Sequence, residues 1–315
     1  MLKLIGVELF KLRKRMMPYV LLAVLLAIVL VPIVVNYSNY RSALARYPDI
    51  ESYIVGNPGA TSGGPVVTTI VPGTTPGTPP SAEEREKMLM ASMLSQWKKT
   101  LVLPDAMQSI FSFVPSLGML LVVLLSASVV GSEYGWGTLR QMLAKGTSRN
   151  NYLTSKLLTI AIAVFAGVLI VVSAGLFATI ITSMLVEGGI AWSGFAAYFF
   201  GSLGRTLLVL SVSLSLAALF AVLLRSATMG MAAAAAGFIG EPIIVSLLSG
   251  SSGWLSEAAR YTIGHNTSHL LVLNGSGYFA GELEPWWRAT IILTAYVAVF
   301  LGAAYLFFRR QDLTA

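Results

Sequence analysis

The sequence predicts an all-α integral membrane protein that crosses the bilayer six times, and three observations support this fold class. Hydrophobic residues make up 56% of the 315 residues and charged residues only 11%, against roughly 25% charged in an ordinary soluble domain. The chain contains long stretches with at most one charged residue. Most basic residues lie near the ends of these stretches, as they do beside membrane-spanning helices.

Each stretch is long enough to cross the hydrocarbon core, which takes about 20 residues at about 1.5 Å per residue. The predicted spans are 16–36, 106–131, 157–185, 195–224, 226–249 and 288–308. A soluble protein would have to bury six such helices, none of which has a polar face, so we reject that alternative.

The distribution of charge predicts that both chain ends are cytoplasmic. Twelve basic and three acidic residues fall on the side that carries the N-terminus and the tail 309–315, for a net charge of +9, whereas the rest of the chain carries −2. Basic residues near span ends favour the cytoplasm. We therefore predict a multi-pass protein of the cell membrane (plasma or inner membrane), with Trp192, Trp254, Trp286 and Trp287 at the outer interface.

The segments outside the spans differ in composition. Residues 1–15 predict a cytoplasmic amphipathic helix that lies in the membrane interface, or alternatively a simple basic flank that fixes the orientation of the first span. The first outer segment, 37–105, contains a stretch rich in Gly, Pro and Thr, 56–81, which has little to bury and predicts a disordered loop. A helix is expected over 82–101, and a second outer segment spans 250–286.

The segment 132–156 predicts a compact cytoplasmic element between the second and third spans. It opens with a glycine-rich run that contains Glu133 and Trp136. A short helix is expected next, followed by a basic turn in which Ser148 is a candidate N-cap. An ordinary basic loop would account for the arginines and lysines of this segment. It would not account for an acidic residue, three glycines and a tryptophan at the exit of a span.

The residues of this element resemble a sequence motif of ABC-2 type permeases, which are membrane subunits of ATP-binding-cassette transporters. The motif in those proteins is commonly Glu-x-x-x-Gly-Thr-Leu-Arg, followed by a Ser-Arg turn. The similar residues here are Glu133, Tyr134, Gly137, Thr138, Leu139 and Arg140, followed by Thr147, Ser148 and Arg149. The layout is also similar, with a basic amphipathic N-terminus, six spans and a large first outer loop.

The resemblance implies a type V exporter-like permease architecture, in which 132–156 couples the spans to an ATPase. Such permeases pair as homodimers or heterodimers in the lipid membrane, and two copies of a separate ATP-binding subunit dock on their cytoplasmic side. The coupling residues that the resemblance implies are Glu133, Tyr134, Trp136, Gly137, Thr138, Leu139, Arg140, Ser148 and Arg149. The implied function is export of a lipid-like, peptide or antibiotic substrate, driven by ATP hydrolysis in the partner subunit.

The sequence does not predict catalysis by this chain. A P-loop requires a Gly-Lys dipeptide beside backbone amides that bind phosphate, and the sequence contains none. There is no cysteine, which excludes disulfides and thiolate metal sites. We expect no enzyme activity, metal or cofactor in this chain, with ATP and Mg²⁺ bound by the partner. Despite the net charge of +7, we expect no nucleic-acid binding.

Two charged residues lie inside predicted spans, Arg205 in the fourth and Glu241 in the fifth. A charge in the hydrocarbon costs at least about 2.5–3.5 kcal/mol, so it usually faces a partner or a cavity. Counted from the turn at Arg225, the two residues differ in depth by about 6 Å, and we hypothesise an intramembrane charge pair. The alternative is that Pro242 ends the fifth span, which places Glu241 at the outer interface and makes 242–286 a re-entrant hairpin.

Two other functions stay open at the level of the sequence. A secondary transporter would also cross the membrane several times, but it typically shows internal repeats and buried charges near the midplane, and no convincing repeat is visible here. A non-transporting membrane anchor or assembly protein would require neither feature. An intramembrane enzyme would require a catalytic set of residues in its spans, which the sequence does not contain.

Overall fold

Helices form most of the chain that the computed structural model describes, which comprises residues 2–50, 81–136, 148–187, 195–249, 254–275 and 285–311. In chain order the helices are α1 (Leu2–Lys14), α2 (Met17–Arg46), α3 (Ala82–Leu101), α4 (Ala106–Trp136), α5 (Arg149–Glu187), α6 (Phe195–Leu224), α7 (Ala227–Ser249), α8 (Trp254–Ala259), α9 (Ile263–Val272) and α10 (Trp286–Arg310). No strand occurs within the described ranges. The protein is therefore all-α over these residues, as predicted.

Six of the described helices are long and apolar enough to cross a membrane, namely α2, α4, α5, α6, α7 and α10. Most of them are apolar on all faces, which is typical of helices surrounded by lipid or by other apolar helices. A helix also satisfies its own backbone hydrogen bonds, as the hydrocarbon requires. Each predicted span corresponds to one of these helices, which confirms six apolar helices of membrane-crossing length.

Helices α4 and α6 form the centre of the bundle and share a large apolar core. Ser126 Oγ of α4 donates a hydrogen bond to the carbonyl oxygen of Leu214 in α6 at 3.0 Å. Helices α2 and α5 pack against α4, α10 packs against α6, and α7 contacts both central helices. The two central helices are the most buried of the six. Helix α4 contains the start of the segment 132–156, and α6 contains Arg205.

Helix α3 packs against the part of α2 that extends beyond the first predicted span. Asn36 Nδ2 donates to Thr100 Oγ1 at 2.9 Å, and Tyr47 OH donates to Glu86 Oε1 at 2.5 Å. The order of these pairs shows that the two helices run antiparallel. The helix expected over 82–101 coincides with α3.

Both ends of the described chain lie at one end of the bundle, here called the terminal end. Helix α1 packs on α5, and the guanidinium of Arg149 at the start of α5 donates to the carbonyl oxygen of Arg309 at 3.0 Å. An even number of membrane-length helices returns the chain to the side on which it began. Helices α3, α8 and α9 lie toward the opposite end.

The turn between α6 and α7 draws three helices together at the terminal end. Arg225 adopts a φ of 50° in this turn. A Cβ at Gly230 of α7 would lie 2.7 Å from Ala221 Cα of α6, and one at Gly131 of α4 would lie 2.4 Å from Ala227 Cα. Because no side chain fits at these two glycines, the backbones approach directly, immediately before the segment 132–156.

Candidate functional site

Glu133, the acidic residue of the motif-like segment, is buried at the terminal end of α4. Its side chain is 3% exposed, and its Oε1 accepts a hydrogen bond from Lys156 Nζ at 2.6 Å. Lys156 lies two turns into α5 and is itself 2% exposed. The two helices on either side of 137–147 are therefore joined at their bases by a buried ion pair.

Lys156 also binds Glu8 of α1, with Nζ 2.9 Å from Oε2. Lys11, which is more exposed, lies 2.8 Å from Glu8 Oε1 and 3.9 Å from Glu133 Oε1. We call Glu8, Lys11, Glu133 and Lys156 the four-charge cluster. Two carboxylates face two ammonium groups, so the cluster is neutral as a unit. Removal of one partner from a buried ion pair costs about 3–5 kcal/mol, because a charge is left uncompensated.

Tyr152 extends the four-charge cluster to α10. Its hydroxyl donates to Glu133 Oε2. Its ring stacks on Phe308 of α10, with ring centroids 6.3 Å apart and an interplanar angle of 11°. Lys156 Nζ lies 5.3 Å from the centroid of the Tyr152 ring. One aromatic side chain thus contacts both ions of the central pair and the last membrane-length helix.

Tyr134 and Arg149, two other motif residues that the structure describes, both bind the residue that follows α10. Tyr134 OH donates to Gln311 Oε1 at 3.0 Å, and Arg149 Nη1 donates to Gln311 O at 2.7 Å. Gln311 Nε2 donates in turn to the carbonyl oxygen of Val222 in α6 at 2.7 Å. Gln311 is therefore held by α4, α5 and α6 at once.

Two further contacts fix the borders of the segment. Ser148 is the N-cap of α5, as predicted, because its Oγ accepts a hydrogen bond from Asn151 N at 3.3 Å. Arg15, between α1 and α2, donates from both terminal nitrogens to Ser132 Oγ, each at 3.2 Å. The first contact closes the first turn of α5, and the second attaches the end of α4 to the chain between α1 and α2.

Some of the coupling residues that the resemblance implies fall in the undescribed segment. Those residues are Gly137, Thr138, Leu139 and Arg140. Trp136 is the last residue of α4. Contact of any of these residues with an ATPase stays a prediction.

Sequence reasoning did not find several residues of this site. The missed residues are Glu8, Lys11, Tyr152, Lys156 and Gln311. Two signals were available: Glu8 is the only acidic residue among the first fifteen, and Lys156 is the last charge before a long uncharged run. A single acidic residue in a basic segment often has a specific cationic partner, but the sequence does not say which one.

The hypothesised pair between Arg205 and Glu241 is wrong, because the two residues bind opposite ends of α9. Glu241 Oε1 accepts from the backbone N of Gly264, in the first turn of α9, at 2.6 Å. Arg205 Nε donates to Asn274 Oδ1, just beyond the last turn, at 2.7 Å. A helix favours an anion at its N-terminus and a cation at its C-terminus. Each charge therefore lies at the end of α9 that stabilises it.

The break of the fifth span at Pro242, on which the alternative depends, is also wrong. Helix α7 continues through Pro242 to Ser249. The short helices α8 and α9 follow, and α9 packs against α6, α7 and α10. Helix α9 lies between Arg205 and Glu241 and separates their charges.

Six helices of membrane-crossing length define a multi-pass helical membrane protein. A buried charge cluster joins two of them, α4 and α5, to α1 at the terminal end. The chain belongs to the family described as protein of unknown function (DUF2705), whose sequence profile matches residues 91–314. The matched region contains Glu133, Tyr152 and Lys156, whereas Glu8 and Lys11 precede it. No curated protein matches the chain.

Proposed function

We propose that this chain is the permease subunit of an ATP-driven transporter of ABC-2 type, in which 132–156 transmits movement of an ATPase to the membrane helices. The observation that carries this proposal is the attachment of both borders of 137–147. On one side, the four-charge cluster joins α4 and α5 to α1. On the other, Gln311 joins them to α6 and α10. A push on the segment would therefore move several helices together, as a rigid-body mechanism requires.

The resemblance supports the remaining parts of the proposal. The terminal end faces the cytoplasm, two permease chains pair in the membrane, and two copies of an ATP-binding subunit bind beneath them. ATP and Mg²⁺ bind to that partner, so this chain is not itself the enzyme. The cargo is a lipid-like, peptide or antibiotic molecule that the complex exports.

The orientation can be tested directly because the chain has no cysteine. Single variants Lys145→Cys and Ser81→Cys would be exposed to a membrane-impermeant maleimide in intact cells. We expect labelling of Ser81→Cys in intact cells and of Lys145→Cys only after permeabilisation. Labelling of Lys145→Cys in intact cells would place the segment 132–156 outside the cell, where an ATPase could not bind it. This result would contradict the proposal.

The partner can be tested by a photo-crosslinking amino acid at position 140, with the same residue at position 81 as the control. We expect an adduct from position 140 to a protein that contains a P-loop, and none from position 81. Arg140→Ala should lower transport-coupled ATP hydrolysis while membrane insertion is retained. Glu133→Ala is a poor choice for this test, because Glu133 is buried in the four-charge cluster.

The alternatives give different results. Cargo movement by the purified chain without any ATPase would indicate a secondary transporter. If there is no adduct and no cargo movement, the chain is a membrane anchor or an assembly protein. Either result would contradict the proposal.

A further inference from the structure

The guanidinium of Arg205 bonds only to neutral groups in the described part of the chain. Besides the bond from Nε to Asn274 Oδ1, Nη2 donates to Ser202 Oγ at 3.1 Å and to Leu273 O at 3.3 Å. No ion pair joins Arg205 to an acidic residue among the described residues. Glu241, the other intramembrane charge, is bound at the far end of α9.

The C-terminal end of α9 compensates the arginine only in part. A helix end carries the equivalent of roughly half an elementary charge, so a net positive charge is left at Arg205. In the four-charge cluster, by contrast, Lys156 contacts two carboxylates. An incompletely compensated cation within a membrane-length helix is costly, and such residues usually face a partner or a cavity.

The residues around Arg205 fix the direction of its side chain. Asn274 is fully buried; its Nδ2 donates to Thr206 Oγ1 at 3.4 Å, and its carbonyl oxygen accepts from Tyr198 OH at 2.8 Å. The next residue, Gly275, has a φ of +81°, and a Cβ there would lie 2.7 Å from Gln108 Cβ. The close packing of this turn and the hydrogen bonds of Asn274 hold Asn274 in one position. The guanidinium that bonds to Asn274 is therefore also held in place.

One side of the guanidinium is left uncovered by Gly201 of α6. Nη1 of Arg205 makes no hydrogen bond within the described ranges. A Cβ at Gly201 would lie 3.7 Å from Nη1 and from Nη2. Any larger residue at position 201 would extend over the charged group. Glycine keeps the guanidinium accessible.

We propose that Arg205 and its surroundings form a binding site for the phosphate or carboxylate head of an anionic amphiphile. Arginine suits such groups because its planar fork donates two parallel hydrogen bonds to them. The site lies ten residues into α6, about 15 Å along the helix, and Phe200 of the same helix is exposed. A molecule that reaches this depth needs an apolar part as well as an anionic head. The proposal holds whether or not the chain works with an ATPase.

The test compares lipid binding by the purified full-length chain in nanodiscs or mixed micelles. Native mass spectrometry would measure retention of phosphatidic acid or phosphatidylglycerol against phosphatidylcholine, and inorganic phosphate would be titrated separately. We expect a preference for the anionic lipids of about tenfold, which corresponds to one charge-assisted interaction. Inorganic phosphate that competes as well as the lipids would assign the site to a free anion and overturn the amphiphile.

Three variants make the test specific. Arg205→Gln should abolish the preference by removing the charge, and Gly201→Leu should abolish it by covering a guanidinium that is still present. Gly302→Leu introduces the same side chain into α10, where a Cβ would meet nothing within 4 Å, and should leave the preference intact. If Arg205→Gln does not fold, Gly201→Leu still decides the matter. An unchanged preference in folded Gly201→Leu, or no preference in the unmodified chain, would overturn the proposal.

Discussion

This protein buries charged side chains in two places and compensates their charge differently in each. At the terminal end, Lys156 contacts carboxylates from two other helices, and the four-charge cluster is neutral. Near α9, Glu241 and Arg205 are kept apart and contact backbone and amide groups instead. Direct ion pairs join helices firmly in the first place. In the second, a short helix placed between the charges uses its own dipole to hold them.

The difference between the two places supports a different proposed role for each of them. A neutral buried cluster has no unused charge for a ligand, but it joins α1, α4 and α5 at the borders of 137–147. The α9 region keeps one side of a guanidinium accessible. In the two proposals, the terminal end therefore has the role of mechanical attachment and the opposite half that of ligand contact. Variants in each place should behave differently.

The largest effect is expected for Lys156→Met. Loss of the central ammonium removes the Lys156 contact from the carboxylates of both Glu8 and Glu133, and we expect the free energy of unfolding to fall by about 3–5 kcal/mol. Unfolding of the purified chain in mixed micelles, followed by circular dichroism, would measure this loss. Lys14→Met, which removes a lysine of α1 outside the cluster, is the matched control and should change stability little.

The same variant should release α1 from the bundle. Leu12 is buried and Phe10 is exposed on α1, so Leu12→Cys and Phe10→Cys report on docking in an otherwise cysteine-free chain. We expect Leu12→Cys to react slowly with a maleimide in the parent and quickly in Lys156→Met, with Phe10→Cys reactive in both. Continued protection of Leu12→Cys would show that α1 does not depend on the cluster.

A smaller effect is expected for Tyr152→Phe, which removes the hydroxyl that binds Glu133 and keeps the ring on Phe308. A hydrogen bond to a charged group is worth about 1.5–3 kcal/mol. Tyr134→Phe removes a bond to the neutral side chain of Gln311, and about 0.5–1.5 kcal/mol is expected. The difference between the two variants, measured by the same unfolding experiment, isolates the carboxylate. Equal losses would mean that Glu133 is not charged in the folded protein.

The fold was predictable from the sequence because its signal is local. A run of about 20 apolar residues specifies a membrane-length helix wherever it occurs, and the six helices follow from six such runs. Helix α3 was likewise expected from the sequence over 82–101. These features depend on neighbours within a few turns, which a sequence displays directly.

The sites were harder to predict because they depend on contacts between distant parts of the chain. Glu133 was singled out by the motif, but its partners Glu8 and Lys156 lie in other helices. For Arg205 and Glu241, counting residues from the turn at Arg225 gives the distance of each residue along its own helix. The count cannot show that another helix, α9, contacts both residues. The inserted helix α9 carries no strong sequence signal beyond the Asn274-Gly275 turn that ends it.

The smallest effect is expected for Glu241→Gln, and it tests the comparison most directly. Glutamine keeps a carbonyl oxygen that can accept from Gly264 N, so the hydrogen bond is weakened but not removed, and the interaction of the charge with the helix dipole, about 0.3–1 kcal/mol, is lost. In a double-mutant cycle with Arg205→Gln, we expect a coupling energy within about 0.5 kcal/mol of zero, as for independent sites. The cycle of Glu133→Gln and Lys156→Met should give a much larger coupling. A large coupling between positions 205 and 241 would mean that the two charges interact directly and that α9 does not separate them.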